Sequence, residues 1–183
     1  MDPRPQPSLL LVVTAFSRHE VAIAWGRERL ERMFGPVGLA SDAFAFNQTS
    51  YYEATMGPDL KKQFFAFRDL VAPDGLPAIK LHTNALEREL ADQAVYSEPR
   101  PLNLDPGHLS LGKFLLATTK DQSHRVYLRD GIFAEVTLRY QAGTYEPWPW
   151  TYADYRLPQV RDFLVQMRAD YQERLSCSRG IDE

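Results

Sequence analysis

HRVYLRDGIFAEVTLRY, residues 124–140, decides the fold class. Asp130-Gly131 sits between two runs of alternating polar and apolar residues, which is a β-hairpin signal. A two-residue loop places Val126 and Leu128 beside Phe133 and Glu135 and mixes the two faces. A three-residue loop, residues 129–131 with Gly131 at a left-handed bulge position, is therefore the predicted turn. It pairs Leu128 with Ile132 and Val126 with Ala134, and it gathers Val126, Leu128, Ile132, Ala134, Val136 and Leu138 on one face. The other face then carries Arg125, Tyr127, Glu135, Thr137 and Arg139, with Arg125 opposite Glu135.

Downstream of this hairpin, Gln141-Ala142-Gly143 turns the chain again. An aromatic stretch, residues 148–156, leads to Pro158, which opens a last helix with an apolar stripe of Val160, Phe163, Leu164, Met167, Tyr171 and Leu175. Upstream, residues 9–16 are an apolar run too short to span a bilayer. Arg18, His19 and Glu20 interrupt it in the manner of no signal peptide, so it reads as a buried first strand. Ser17-x-x-Glu20 has the form of a capping box and predicts a helix over residues 18–33, stopped by Gly35-Pro36. A strand reaching Phe46, a polar and aromatic loop over residues 47–57, a strand over residues 62–71 and a helix started by Asp74 and Pro77 follow. Ile79, Leu86 and Leu90 form one side of that helix; Lys80, Asn84 and Glu87 form another, read simply as a solvated face. Residues 99–107 read as a loop, and residues 109–119 as strand or short helix.

The order is βαββα, a β-rich half, then α. It predicts an α+β fold with a mainly antiparallel sheet and about three helices. One domain over residues 9–175 is expected, between a disordered tail (1–8) and a flexible tail (176–183).

Bulk properties narrow the function classes. The formal charge of -3 over 183 residues gives no pull toward nucleic acid or an anionic membrane. Cys177 is the one cysteine, so no internal disulfide and no thiolate metal cage can form; a reducing, cytoplasmic setting is expected. Residues 107–114, GHLSLGKF, nearly match a phosphate-binding loop, but Phe114 stands where a magnesium-binding hydroxyl is needed. Asp105, His108, His124 and Glu135 carry metal-ligand chemistry, at a spacing that matches no closed site.

One constellation stands out. Asn103, Asp105, Thr118, Thr119, Lys120, His124 and Arg125, facing Glu135, gather amide, carboxylate, hydroxyl, ammonium, imidazole and guanidinium groups at the ends of predicted strands. Such groups suit a small anionic ligand, phosphorylated or nucleotide-like. Asn103, Lys120 and Arg125 are its candidate contacts, and Asp105, His124 or Glu135 its candidate acid–base groups. The structural alternative is an Asx turn at Asn103 and Asp105 with a cross-strand Arg125–Glu135 ion pair. The functional alternative is a non-catalytic interaction module presenting the aromatic loops. The cofactor, if one is used, is unknown from the sequence.

The chain also resembles a known family. TSYYE (49–53), Met56-Gly57, Ile79-Lys80, Thr83-Asn84-x-x-Glu87, NLDPG (103–107), LATTK (116–120), HRVYL (124–128), AEVTL (134–138) and WTYADYR (150–156) stand in the order typical of the bacterial domain-of-unknown-function family 4416. The resemblance runs from about residue 9 to residue 171. Some members carry a GTP-binding label. The resemblance implies no particular activity, but it groups further polar residues with the constellation: Tyr52, Lys80, Asn84, Asp154 and Arg156 join as candidate ligand contacts, with Tyr51, Glu53 and Glu87 beside them. This sequence departs from the family pattern at His108, where tyrosine is usual, and at Ala153, where proline is usual.

Overall fold

The computed structural model describes Asp2 and residues 6–179. The elements run β1 (Leu9–Ser17), α1 (Glu20–Phe34), β2 (Val37–Ala40), β3 (Phe44–Ala45), α2 (Glu53–Met56), β4 (Lys61–Val71), α3 (Leu76–Asp92), β5 (Asn103–Leu109), β6 (Lys113–Thr118), β7 (Val126–Arg129), β8 (Ile132–Gln141), β9 (Thr144–Pro147) and α4 (Pro158–Arg179). Short 3-10 turns over Pro73–Gly75 and Ala153–Arg156 lead into α3 and α4. The fold is α+β. Its sheet follows the path β2-β4-β1-β5-β6-β8-β7, with β3 added on β4 and β9 on β8, and every strand pair is antiparallel.

The unbroken apolar run of β1 is explained by a sheet covered on both faces. Leu10 and Val12 join Phe64 and Ala66 beneath Val160, Leu164, Met167 and Tyr171 of α4. Leu11, Val13 and Ala15, pointing the other way, join Phe65 and Phe67 against Ala22, Ile23 and Leu30 of α1 and Ile79, Leu86 and Leu90 of α3. Successive side chains of a strand alternate faces, so a two-sided core demands an apolar residue at every position. Each large side chain so buried contributes about 1.5–3 kcal/mol.

Several expectations are corrected. Ser17 is the last residue of β1 rather than a helix cap: its Oγ accepts from the His19 N–H and donates to the Pro101 carbonyl, and α1 begins two residues later than expected, at Glu20. The strand expected up to Phe46 is broken into β2 and β3, and α2 interrupts the loop after it. The tail expected from residue 176 starts as the last turn of α4, which continues to Arg179; residues 180–183 lie outside the described residues. At the other end, Asp2 and residues 6–8 have no regular structure, and the remainder of that expected tail lies outside the described residues.

The β7–β8 hairpin reaches its expected register by another route. Arg129 pairs with Ile132, leaving a two-residue turn with positive φ at Asp130 (55°) and Gly131 (76°), the backbone a primed hairpin turn requires. A bulge between Tyr127 and Arg129 absorbs the odd residue, so Val126 still lies opposite Ala134 while Leu128 has no partner in the ladder. The single apolar face expected along β8 does not form. A second irregularity, between the Phe114–Leu138 and Leu115–Val136 pairs, turns Leu138 under α4, while Ile132 and Ala134 pack with Ala117 and Leu76. Val126 and Tyr127 are exposed, while the polar residues Arg125, Glu135 and Thr137 are buried.

Candidate functional site

The stretch expected to be a loop before Gly107 is β5, in the middle of the sheet. Proline is rare in such a strand because it has no N–H to donate. Here pairing with β6 covers only Gly107, His108 and Leu109, opposite Leu116, Leu115 and Phe114. Gly107 allows that close approach, since a Cβ there would lie 2.2 Å from the Leu115 carbonyl oxygen. Before Pro106 the two strands part, and between them opens a cavity of about 640 Å³, within the range of small-molecule sites. α3 supplies Lys80, Asn84, Glu87 and Arg88 to its wall. The loop before α2 supplies Gln48, Thr49, Tyr51 and Tyr52. β6 and its extension supply residues 116–120, and the turn before α4 supplies Tyr152, Ala153, Asp154 and Tyr155.

The deep part of the cavity is charged, and its charges are paired. Lys62 Nζ donates to Asp154 Oδ2 at 2.7 Å, with both side chains under 5% exposed. It also sits 4.4 Å from the Tyr155 ring centre and 4.9 Å from that of Phe46, so aromatic faces replace part of its lost hydration. Lys80 Nζ donates to the Leu104 carbonyl at 3.0 Å and to Asp105 Oδ1 at 3.1 Å. Glu87 Oε1 accepts the Leu104 N–H at 2.7 Å, serving backbone groups that β6 leaves unpaired. Arg125 binds Glu135 Oε2 through Nε at 2.8 Å, the Lys120 carbonyl through one terminal nitrogen and the Tyr152 hydroxyl through the other. His124 Nε2 lies 3.3 Å from the same Glu135 oxygen, and its ring stacks on Trp150, which stacks on Trp148.

These contacts set the acidities. Burial by itself would raise the Asp105 carboxyl, but Lys80 and Lys62 more than offset it and hold Asp105 below its usual range. The Asn103 amide lies close enough to assist, without the geometry of a hydrogen bond. Burial raises the Glu87 carboxyl despite Lys80 nearby. Burial, and then the charge of Asp105, raises the Tyr52 phenol; burial, and then Glu135, raises that of Tyr152.

The mouth is different. Lys120 is exposed, and its Nζ donates to the Tyr51 hydroxyl at 2.9 Å while lying over the same ring at 4.6 Å. No carboxylate lies within ion-pair reach of it among the described residues, and its contact instead draws the Tyr51 phenol down. Arg100, half-exposed beside it in the cavity lining, donates to Asn103 Oδ1 at 2.6 Å. The Asn103 Nδ2, in a residue only 5% exposed, has no hydrogen-bond partner among the described residues.

A family comparison can be set beside this geometry. The family model described as a domain of unknown function, DUF4416, matches residues 6–171, nearly the whole chain. The chain belongs to the DUF4416 family. No curated protein and no solved structure matches it.

In this DUF4416 chain the residues singled out from sequence separate into two groups. Tyr52, Lys80, Asn84, Asn103, Asp105, Lys120, Glu135 and Asp154 line one cavity. Arg125, His124 and Arg156 do not line it. Arg125 stands behind Glu135, its side chain only 2% exposed. Arg156 spends its guanidinium on the carbonyls of Trp148, Pro149 and Thr151, holding the aromatic loop. The face of α3 read as solvated is the cavity wall, with Lys80 buried. Sequence reasoning passed over Lys62, which looked like the edge of a strand, and Arg100, which looked like part of a loop; the Lys-Lys pair at 61–62 was the one available hint, since an apolar strand rarely opens on two lysines without a partner for the inward one. Among the described residues no three His, Cys, Asp or Glu side chains gather as a metal site, and no helix is long and apolar enough to cross a membrane.

Proposed function

We propose that the cleft between β5 and β6 binds a small anionic ligand, phosphorylated or nucleotide-like. The observation that carries this reading is the imbalance at the mouth. Lys62, Lys80, Arg88, Arg100 and Lys120 line the cavity against Glu87, Asp105, Glu135 and Asp154, five cations to four carboxylates. The carboxylates already have cationic neighbours at Lys62, Lys80, Arg100 and Arg125, while among the described residues neither Lys120 nor Arg88 has a carboxylate within ion-pair reach, and Lys120 is the one that stands at the mouth. An incoming anion meets a lysine free to exchange a phenol for a charge-assisted bond, and the Asn103 amide as a ready donor. A cytosolic setting suits both such a ligand and the single, exposed Cys177.

If the bound molecule is turned over, Asp105 is the candidate proton acceptor, because Lys80 occupies only its Oδ1. Glu135 is engaged by Arg125, His124 and Thr137, and His124 reaches the cavity only through it. The rival reading, an aromatic surface for a protein partner, is less favoured: Tyr51 and Tyr152 border the concave site instead of forming a flat patch. The test is a thermal-shift screen of phosphorylated metabolites, nucleotides and inorganic phosphate, with and without divalent ions, since a ligand that binds only the folded state raises its stability. Absence of any shift from the whole panel refutes the reading.

A further inference from the structure

The cleft has two unlike ends. Its mouth carries the unmatched Lys120 and the half-exposed Arg100, with the Asn103 amide just inside. Its floor carries Asp105 and Asp154, each bound to a buried lysine. That pairing matters for what the floor can accept. A carboxylate without a counter-charge attracts a cation, but one already paired offers acceptor oxygens with little net charge to satisfy. Asp105 is such a group. Its side chain is 28% exposed and lines the cavity, and among the described residues its Oδ2 takes no hydrogen bond of normal geometry, the Asn103 amide lying near without that geometry. The complement to a paired carboxylate is a neutral donor, and the commonest neutral donor of a small metabolite is a hydroxyl. The third feature is a group of Phe16, Phe46 and Tyr52, with ring centres 4.9 to 5.8 Å apart and Phe16 edge to face with each of the others, which gives the cavity lining an aromatic wall.

We infer that the ligand is a phosphorylated polyhydroxy compound of the sugar-phosphate class, its phosphate at Lys120 and Arg100, its hydroxyls on the Asp105 carboxylate and its carbon face against the aromatic wall. The inference rests on the anion-binding reading of the same cleft. It adds that hydroxyl groups, and not the phosphate alone, carry recognition. A hydroxyl donating to a carboxylate makes a charge-assisted bond, and a site built for one rejects the analogue that lacks it because the acceptor is then left dry.

The experiment compares ligands matched in anion and size but not in hydroxyls, by calorimetric titration of the wild-type chain. Glucose 6-phosphate and ribose 5-phosphate are set against cyclohexyl phosphate and cyclopentyl phosphate, with inorganic phosphate and the free sugars as further arms. The expected result is that at least one sugar phosphate binds about tenfold or more tightly than its hydroxyl-free counterpart and than phosphate. Asp105→Asn should shrink that ratio, while Lys120→Ala should weaken every phosphorylated ligand alike. Equal binding of the matched pairs overturns the inference and leaves the anion site standing. Binding of none of the phosphorylated compounds, nor of phosphate, overturns the inference, and with no shift from the nucleotides of the thermal-shift panel it removes the anion site as well. Should Asp105→Asn fail to fold, the wild-type comparison still decides.

Discussion

The Nε of Arg125 and Oε2 of Glu135 lie 2.8 Å apart across the β7–β8 hairpin, with side chains only 2% and 1% exposed. An exposed cross-strand pair is worth about 0.2–1 kcal/mol. This one is not exposed. Arg125→Ala would strand the Glu135 charge, already out of water, and also release the Lys120 carbonyl and the Tyr152 hydroxyl. The expected loss is about 3–5 kcal/mol in urea unfolding. A loss below about 1 kcal/mol would mean that water reaches Glu135 in the folded chain.

A second prediction concerns His108, which is 2% exposed, has an unpartnered Nε2, and is pushed by burial from 6.5 down to about 4. Its folded pKa lies below its unfolded one, so the unfolded chain takes up the proton first. The stability this neutral imidazole allows is complete above pH 6.5 and is lost as the pH falls toward about 4. His108→Phe should therefore unfold no more easily than wild type at pH 7 and should flatten the stability profile between those values, by about 3 kcal/mol at most. An unchanged acid limb would show that His108 is solvated.

How much of this could be read in advance depends on how local the cause is. β4, α3 and α4 announce themselves by periodicity and proline placement, whereas the pairing of Val126 with Ala134, expected from a three-residue turn, is reached through a two-residue turn and a bulge that local patterning does not announce. Nor does it announce the identity of β5, because Pro106 argues against a central strand unless one knows that β6 has already separated there. Lys62 and Lys80 fail for a related reason. A lysine on a strand end or a helix face is solvated by default, and only the distant Asp154 and Asp105, 92 and 25 residues away, make its burial tolerable. The constellation was legible as a set of residue types at strand ends; the division of that set between cavity wall and supporting layer was not.

GTP is the subject of a third prediction. The stretch GHLSLGKF crosses from β5 into β6 as a hairpin, with His108 and Phe114 buried, so it forms no phosphate cradle ahead of a helix. Titration with magnesium and GTP should give no tight, magnesium-dependent binding. Observing it would put the nucleotide in the β5–β6 cleft or at another site that does not use this stretch.

The central claim concerns Lys120 at the mouth of the cleft. Among the described residues its one polar side-chain contact is an exposed bond to Tyr51, so Lys120→Ala should leave folding intact or change it by only a few tenths of a kcal/mol. Anion binding should suffer instead, because the unmatched charge is gone. The decisive measurement is the melting temperature of wild type and Lys120→Ala at constant ionic strength, with and without inorganic phosphate or sulfate. The account predicts equal melting temperatures without the anion, and an anion-induced rise in wild type that the variant largely loses. A variant already several degrees less stable without anion, or a wild type indifferent to both anions, would contradict it.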